Sequence, residues 1–217
     1  MIFTGAETSS AEKLKLMNKG GTQSAETILE FAQRIKEFDI IPEFSFIFGS
    51  PSDDVDCDID QDIQFIKQIK KVNPRSEIIF YVYAPVLLPG ANLFKEATKH
   101  GFAYPRSLEE WTQPQWLHFD LRKRPMLPWI KPKHIRKIRN FERVLNAYYP
   151  SISDLRLTEP KRRFMRFLSS WRYENDFHAA PYEIRLFLTR VFKYRQPEIE
   201  GAPQYPPHGL LERISVS

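Results

Sequence analysis

The sequence predicts an α/β fold built from parallel β-α units over residues 1–105, followed by a helical, proline-rich extension over 106–217. Three features point to it. Short apolar runs of strand type recur in the first half, separated by about 20–35 residues with helical periodicity, a spacing that implies parallel crossovers rather than hairpins. The 17 prolines gather after Pro105 and divide the second half into pieces. Charge changes at the same place: residues 1–105 hold 11 Lys/Arg against 15 Asp/Glu, and residues 106–217 hold 21 against 12.

Met1–Thr4 reads as a short buried strand that Gly5 ends. Leu14, Leu16 and Met17 mark a helix stopped at Lys19-Gly20-Gly21. Thr22 or Ser24 caps the next helix, whose stripe is Ile28, Leu29, Phe31, Ala32, Ile35 and Phe38. Phe44–Phe48 is a second buried strand, closed by Gly49 and Pro51. The following helix turns Ile59, Ile63, Phe65, Ile66 and Ile69 inward. Its leading aspartates suit the positive end of the helix dipole, and Lys67, Lys70 and Lys71 suit the negative end. The third strand lies in SEIIFYVYAP and leads through VLLPGA into the helix NLFKEATKHG. Beyond Pro105 an aromatic, irregular stretch precedes three helices, near 134–149, 161–171 and 182–194, the last two announced by Pro160 and Pro181. The tail from Arg195 is rich in proline.

Composition narrows the class. With 42% hydrophobic and 27% charged residues the chain is globular rather than disordered. One cysteine, Cys57, cannot form an internal disulfide, so a reducing cytoplasm is expected. No apolar run approaches the roughly 20 residues of a membrane span. There is no Gly-rich phosphate loop, Ser/His/Asp constellation or HExxH, so no catalytic residue is assigned. The histidines are scattered and Cys57 stands alone, so no metal ligand is assigned either. Asp58, Asp60 and Asp62 imitate the start of a calcium loop without its glycine and glutamate.

In parallel β-α folds, ligands bind at the carboxyl ends of the strands. Three loops qualify: GAETSS (5–10), GSPSDD (49–54) and YAPVLLPGA (83–91). The carboxylate of Glu7 and the hydroxyls of Thr8, Ser9 and Ser10 suit a ribose or an ammonium group. The plainer alternative is that Ser9 or Ser10 caps the helix and Glu7 is solvated. GSPSDD is equally a turn before an Asp-capped helix, and Pro85 and Pro89 fit ordinary loop chemistry.

The order of these pieces, GAETSS, then MNKGG, FIFGSP, YVYAP with LPGANLFKEATKHG, and LEEWTQPQW, resembles the radical S-adenosylmethionine enzymes. The similarity is greatest to the branch with cobalamin-binding relatives, including the anaerobic magnesium-protoporphyrin ester cyclase type, and it covers residues 1 to about 130. It implies that residues 1–105 are the C-terminal half of a parallel (β/α)6 partial barrel, with Met1 at about the fourth strand. The front half would then be missing from this chain and supplied by the same gene or a separate chain. That half holds the family's CxxxCxxC loop, whose three thiolates ligate a 4Fe-4S cluster with S-adenosylmethionine on the open iron. By the same resemblance, Glu7, Thr8 and Ser10 occupy the carboxylate and serine positions of the family's GAESGS loop, and Lys19 its KG lysine. Gly49 matches its G-x-P loop, and Pro85 lies in the third strand-end loop on the cofactor side. Ser9 replaces a family glycine, Ser52 and Asp53 replace glycine and glutamate, and Ala91 stands where threonine is usual. Cobalamin would bind upstream, in the complete enzyme. This chain alone is expected not to perform the radical chemistry.

In the second half, KRRFMRFLSSWR places Phe164, Phe167, Leu168 and Trp171 on one helical face among cations, and PKHIRKIRNFERVL repeats the theme with Ile135, Ile138, Phe141 and Leu145. Either these stripes are core and the cations solvated, or the helices lie on anionic lipid or along phosphates. The resemblance adds a third role: Trp111, Trp116, Arg122, Arg124 and Trp129 would wall a site for a large anionic or lipophilic substrate. A contrasting class is a non-enzymatic basic helical module that binds nucleic acid or anionic lipid.

Overall fold

The computed structural model describes residues 1–19, 21, 23–83, 90–113, 127–151 and 157–193. Three parallel strands form one sheet in the order β1 (Ile2–Glu7), β2 (Pro42–Phe48), β3 (Glu77–Val82). Between β1 and β2 run α1 (Ala11–Leu16) and α2 (Ala25–Ile35), and α3 (Val55–Val72) joins β2 to β3. After the sheet come α4 (Asn92–Lys99), α5 (Leu108–Trp111), α6 (Pro132–Tyr148), α7 (Glu159–Glu174) and α8 (Tyr182–Leu186), which runs into a π-helical turn, Phe187–Val191.

The parallel β-α units are therefore as the sequence predicts. The described residues do not form a (β/α)6 barrel: they form a mixed α/β structure on a three-stranded parallel sheet. Local chemistry explains the elements. Ser24 and Thr27 form a reciprocal capping box that starts α2. Asp54 accepts from the Cys57 amide and starts α3 four residues before the first inward isoleucine. Pro132 and Pro160 sit in the first turns of α6 and α7, where a missing N–H costs nothing.

Alternation sorts the sheet into two faces. On one, Phe44 meets Phe31 of α2 edge-on at 6.1 Å, Phe46 meets Phe65 of α3 at 6.0 Å, and Phe80 meets Phe141 of α6 at 5.9 Å. A single core cluster runs from these phenylalanines through α6 to Met165, Ile184 and Leu188. On the other face, Ile47, Ile79 and Tyr81 are only half-buried. Consecutive strands lie side by side and their connecting helices cover the same face, an arrangement common to a barrel segment and to one half of a doubly wound sheet. Among the described residues β1 pairs on one side only, and Ile2 and Phe3 are 43% and 58% exposed.

Candidate functional site

At the carboxyl end of β1 the register slips between Gly5 and Glu7, and Glu7 takes a left-handed conformation with φ of 63°. That twist turns its carboxylate back over the strand, where Lys19 forms an ion pair with it. Gly5 leaves room beneath: a Cβ there would meet the Glu7 carboxylate, which would have to shift from this position. Glu7 is not solvated. It is 7% exposed, while the Lys19 side chain keeps 42% of its surface open.

The next residues are tied down by α3. Asp62 Oδ1 accepts from the Thr8 hydroxyl at 3.0 Å and from both the amide and the hydroxyl of Ser9 at 2.7 Å. Burial pushes the Asp62 carboxyl above the ordinary range, against the pull of the Ser9 and Thr8 donors and of nearby Lys13. Lys13, itself buried, is held by Asp58 one turn earlier on α3. Ser10 caps α1 by accepting from the Lys13 amide. Of the loop's side chains, Thr8, Ser9 and Ser10 are thus engaged within the protein, and the Glu7–Lys19 pair is its polar group nearest the strand end.

The second loop is covered. Gly49 has φ of +77°, a side chain on it would strike Ile130, and Trp129 donates its indole N–H to the Gly49 carbonyl at 2.9 Å. Trp129 is buried against Tyr83, His100 and Phe102, so it seals the end of β2. Trp111 is half-buried on α5. Pro85, Trp116, Arg122 and Arg124 lie outside the described residues. The structure brings Glu7 and Lys19 together and joins Gly49 to Trp129; it shows no contact between the two pairs.

Sequence reasoning missed Asp62 as the latch of this loop. The signal was available: Asp62 falls between Ile59, Ile63 and Ile66 on the apolar face of α3, where a carboxylate needs hydrogen-bond partners. It also missed Lys70. This side chain is buried at the opposite end of the strands, donates to the Pro74 and Ser76 carbonyls, and lies 4.7 Å over the Tyr149 ring. Burial pushes its amine down to about 7.

A four-iron cluster needs three thiolates, and this chain has Cys57 alone, exposed on the first turn of α3. Among the described residues no three His, Cys, Asp or Glu side chains converge on a metal position. The chain's own residues do not fit the cluster. Among the described residues no helix is long and apolar enough to cross a membrane. Comparison with protein-family models and with curated proteins returns no match.

Proposed function

We propose that this chain is a cofactor-side portion of a radical S-adenosylmethionine enzyme, completed by a half-barrel that carries the iron–sulfur cluster. The observation that supports it is the Glu7–Lys19 pair. Two residues 12 positions apart, each matched to the family by its own short motif, meet over the carboxyl end of a parallel strand. The consecutive order of the strands, the half-buried face at Ile47, Ile79 and Tyr81, and the pairing of β1 on one side only among the described residues are compatible with a barrel segment.

In this role Glu7 accepts hydrogen bonds from the ribose hydroxyls or ammonium group of S-adenosylmethionine, and Lys19 faces its carboxylate. Asp62 keeps the loop rigid by holding Thr8 and Ser9. This chain holds the cofactor, and hydrogen abstraction belongs to the part with the cluster.

Equilibrium dialysis of the purified chain against S-adenosylmethionine tests the proposal. Saturable retention that Glu7→Gln weakens by about ten-fold, the effect of losing one charged hydrogen-bond partner, is expected. Retention that Glu7→Gln leaves unchanged, or no retention at all, overturns the cofactor-side assignment. A stoichiometric cluster formed on the isolated chain by anaerobic iron–sulfide reconstitution overturns the division of labour.

A further inference from the structure

Most of the apolar stripe of α7 faces away from the core, with Leu168 alone of its four residues half-buried against it. Met165, Ser169, Arg172 and Tyr173 point inward, whereas Phe164, Phe167 and Trp171 are 38%, 78% and 50% exposed. They form a continuous ridge. At one end Phe164 packs edge-on against Phe187 at 4.8 Å and Phe192 at 5.9 Å; at the other Trp171 stacks on Phe177 at 5.4 Å. The neighbouring helical segment, which meets Phe164 through Phe187, also carries exposed Tyr182, Leu186 and Val191. Single exposed apolar residues are ordinary on a protein surface, but a contiguous ridge is not.

Cations border it. Arg163, Arg166, Arg185, Arg190 and Lys193 are exposed, and Lys161 lies 5.5 Å over the Phe192 ring. Between Glu159 and Lys193 the sequence has eight Lys/Arg and four Asp/Glu. Glu183 is engaged with Arg172 and Asp176 with Lys67. Arg163 has a solvent-open pair with Glu159 at 3.6 Å and Arg166 donates to the Tyr148 carbonyl, so the exposed cations still outnumber the acids left to answer them. The outward field is positive, so the complementary partner is an anion.

Two anionic surfaces meet aromatic side chains, and ring geometry separates them. A single-stranded nucleic acid needs free ring faces on which bases stack. Here Trp171 and Phe177 stack on each other at 22°, and the Arg172 guanidinium lies 5.0 Å over each ring, so this pair offers a base less open ring than the exposed Phe167 and Tyr182 do. Leu186 and Val191 offer a base no π-face at all. A lipid surface asks only for apolar bulk that enters the headgroup–acyl boundary with cations beside the headgroups.

We infer that the α7–α8 face, with Phe167 and Trp171 at its centre and Arg163, Arg166 and Arg190 around it, docks on an anionic lipid surface. It does so independently of cofactor binding at β1. The docking is peripheral, and a bilayer holds the protein by the ridge in its interface plane.

Sedimentation of the full chain with vesicles tests this, comparing phosphatidylcholine alone with a mixture holding about one third phosphatidylglycerol. Binding to the mixed vesicles alone, weakening as salt rises, is expected. The double change Phe167→Ser with Trp171→Ser should lower the partition about ten-fold or more, and Arg163→Glu with Arg166→Glu should abolish it. Because Phe167 and Trp171 are exposed, far-ultraviolet circular dichroism should show both variants folded. No binding to mixed vesicles at low salt overturns the inference, as does binding that neither pair of changes reduces. Tight retention of polyuridine that the double change abolishes, without vesicle binding, would assign the face to nucleic acid instead. Self-association lost in the same variant, again without vesicle binding, would assign it to a second copy.

Discussion

α6 and α7 look alike in sequence and behave oppositely in the fold. Both are basic, both open with proline in the first turn, and both carry an aromatic-aliphatic stripe at helical spacing. In α6 the stripe is core: Ile138, Phe141 and Leu145 are fully buried against the sheet and α3. Its Lys133 and Lys137 reach across to Asp56 and Asp60 on α3, the latter pair at 2.8 Å. In α7 the stripe faces outward at Phe164, Phe167 and Trp171, and Leu168 is half-buried against the core. The inner face makes do with Met165, Ser169, Tyr173 stacked on Tyr148 at 4.4 Å, and Arg172, whose guanidinium is held by Glu183 and the Ala179 carbonyl. The difference teaches that periodicity finds a helix's faces but not which one meets protein. Residues 164, 167, 168 and 171 and residues 165, 169, 172 and 173 are both helical stripes, and hydrophobicity alone picks the first.

The sharpest way to break this comparison is truncation on each helix. Phe141→Ala leaves a hole between α6 and Phe80 and should cost about 3–5 kcal/mol. Phe167→Ala, on the exposed stripe, should stay within about 0.5 kcal/mol. Urea unfolding measures both, and comparable losses would return the α7 stripe to the core.

A smaller effect reports on the junction of the two helices. His178 lies just beyond α7, with its ring edge-on to Phe141 at 4.9 Å and its Nε2 buried without a hydrogen-bond partner. Burial pushes it down to about 4. The folded value is below the ordinary 6.5, so as pH falls the unfolded chain takes up the proton first. Stability present above pH 6.5 is therefore lost between 6.5 and about 4, by up to ~3 kcal/mol. His178→Leu should flatten that limb of the stability profile. An unchanged limb would mean that the acid sensitivity resides elsewhere.

The same contrast explains what was legible in the sequence. Strand and helix order over residues 1–105 followed from spacing, because parallel crossovers leave a long-range signature in chain length. The core positions of α3 and α6 followed from periodicity, because those helices have one apolar face each; in α2 the predicted stripe is buried at Ile28, Ala32 and Ile35, while Phe31 and Phe38 are exposed. The α7 orientation did not follow, since two faces compete and the choice rests on Arg172 finding Glu183 eleven residues away. At the site, Glu7 was legible from its place at a strand end, and Lys19 only through the resemblance. The reason they meet, a left-handed Glu7 over Gly5, is a backbone event that the letters GAETSS do not announce. The partners of Thr8 and Ser9 lay more than 50 residues away, beyond any local pattern.

The least stability effect should come from the cations, and it separates their roles. Lys133, beside Asp56, holds that carboxyl below its ordinary range, and Asp56 is still 41% exposed. Asp56→Asn should cost no more than about 1 kcal/mol, most of it gone in about 0.5 M salt, because exposed pairs are weak and screened. On α7, Arg163 sits 3.6 Å from Glu159 with both side chains open to solvent, and Arg163→Gln should leave urea unfolding unchanged. Yet if the cations of α6 serve the fold and those of α7 serve a lipid surface, Arg163→Gln should weaken vesicle binding where Asp56→Asn does not. Retaining the α6–α3 pairs while losing vesicle binding is what distinguishes Lys133 and Lys137, held by α3, from Arg163, whose solvent-open pair with Glu159 leaves it able to meet a headgroup.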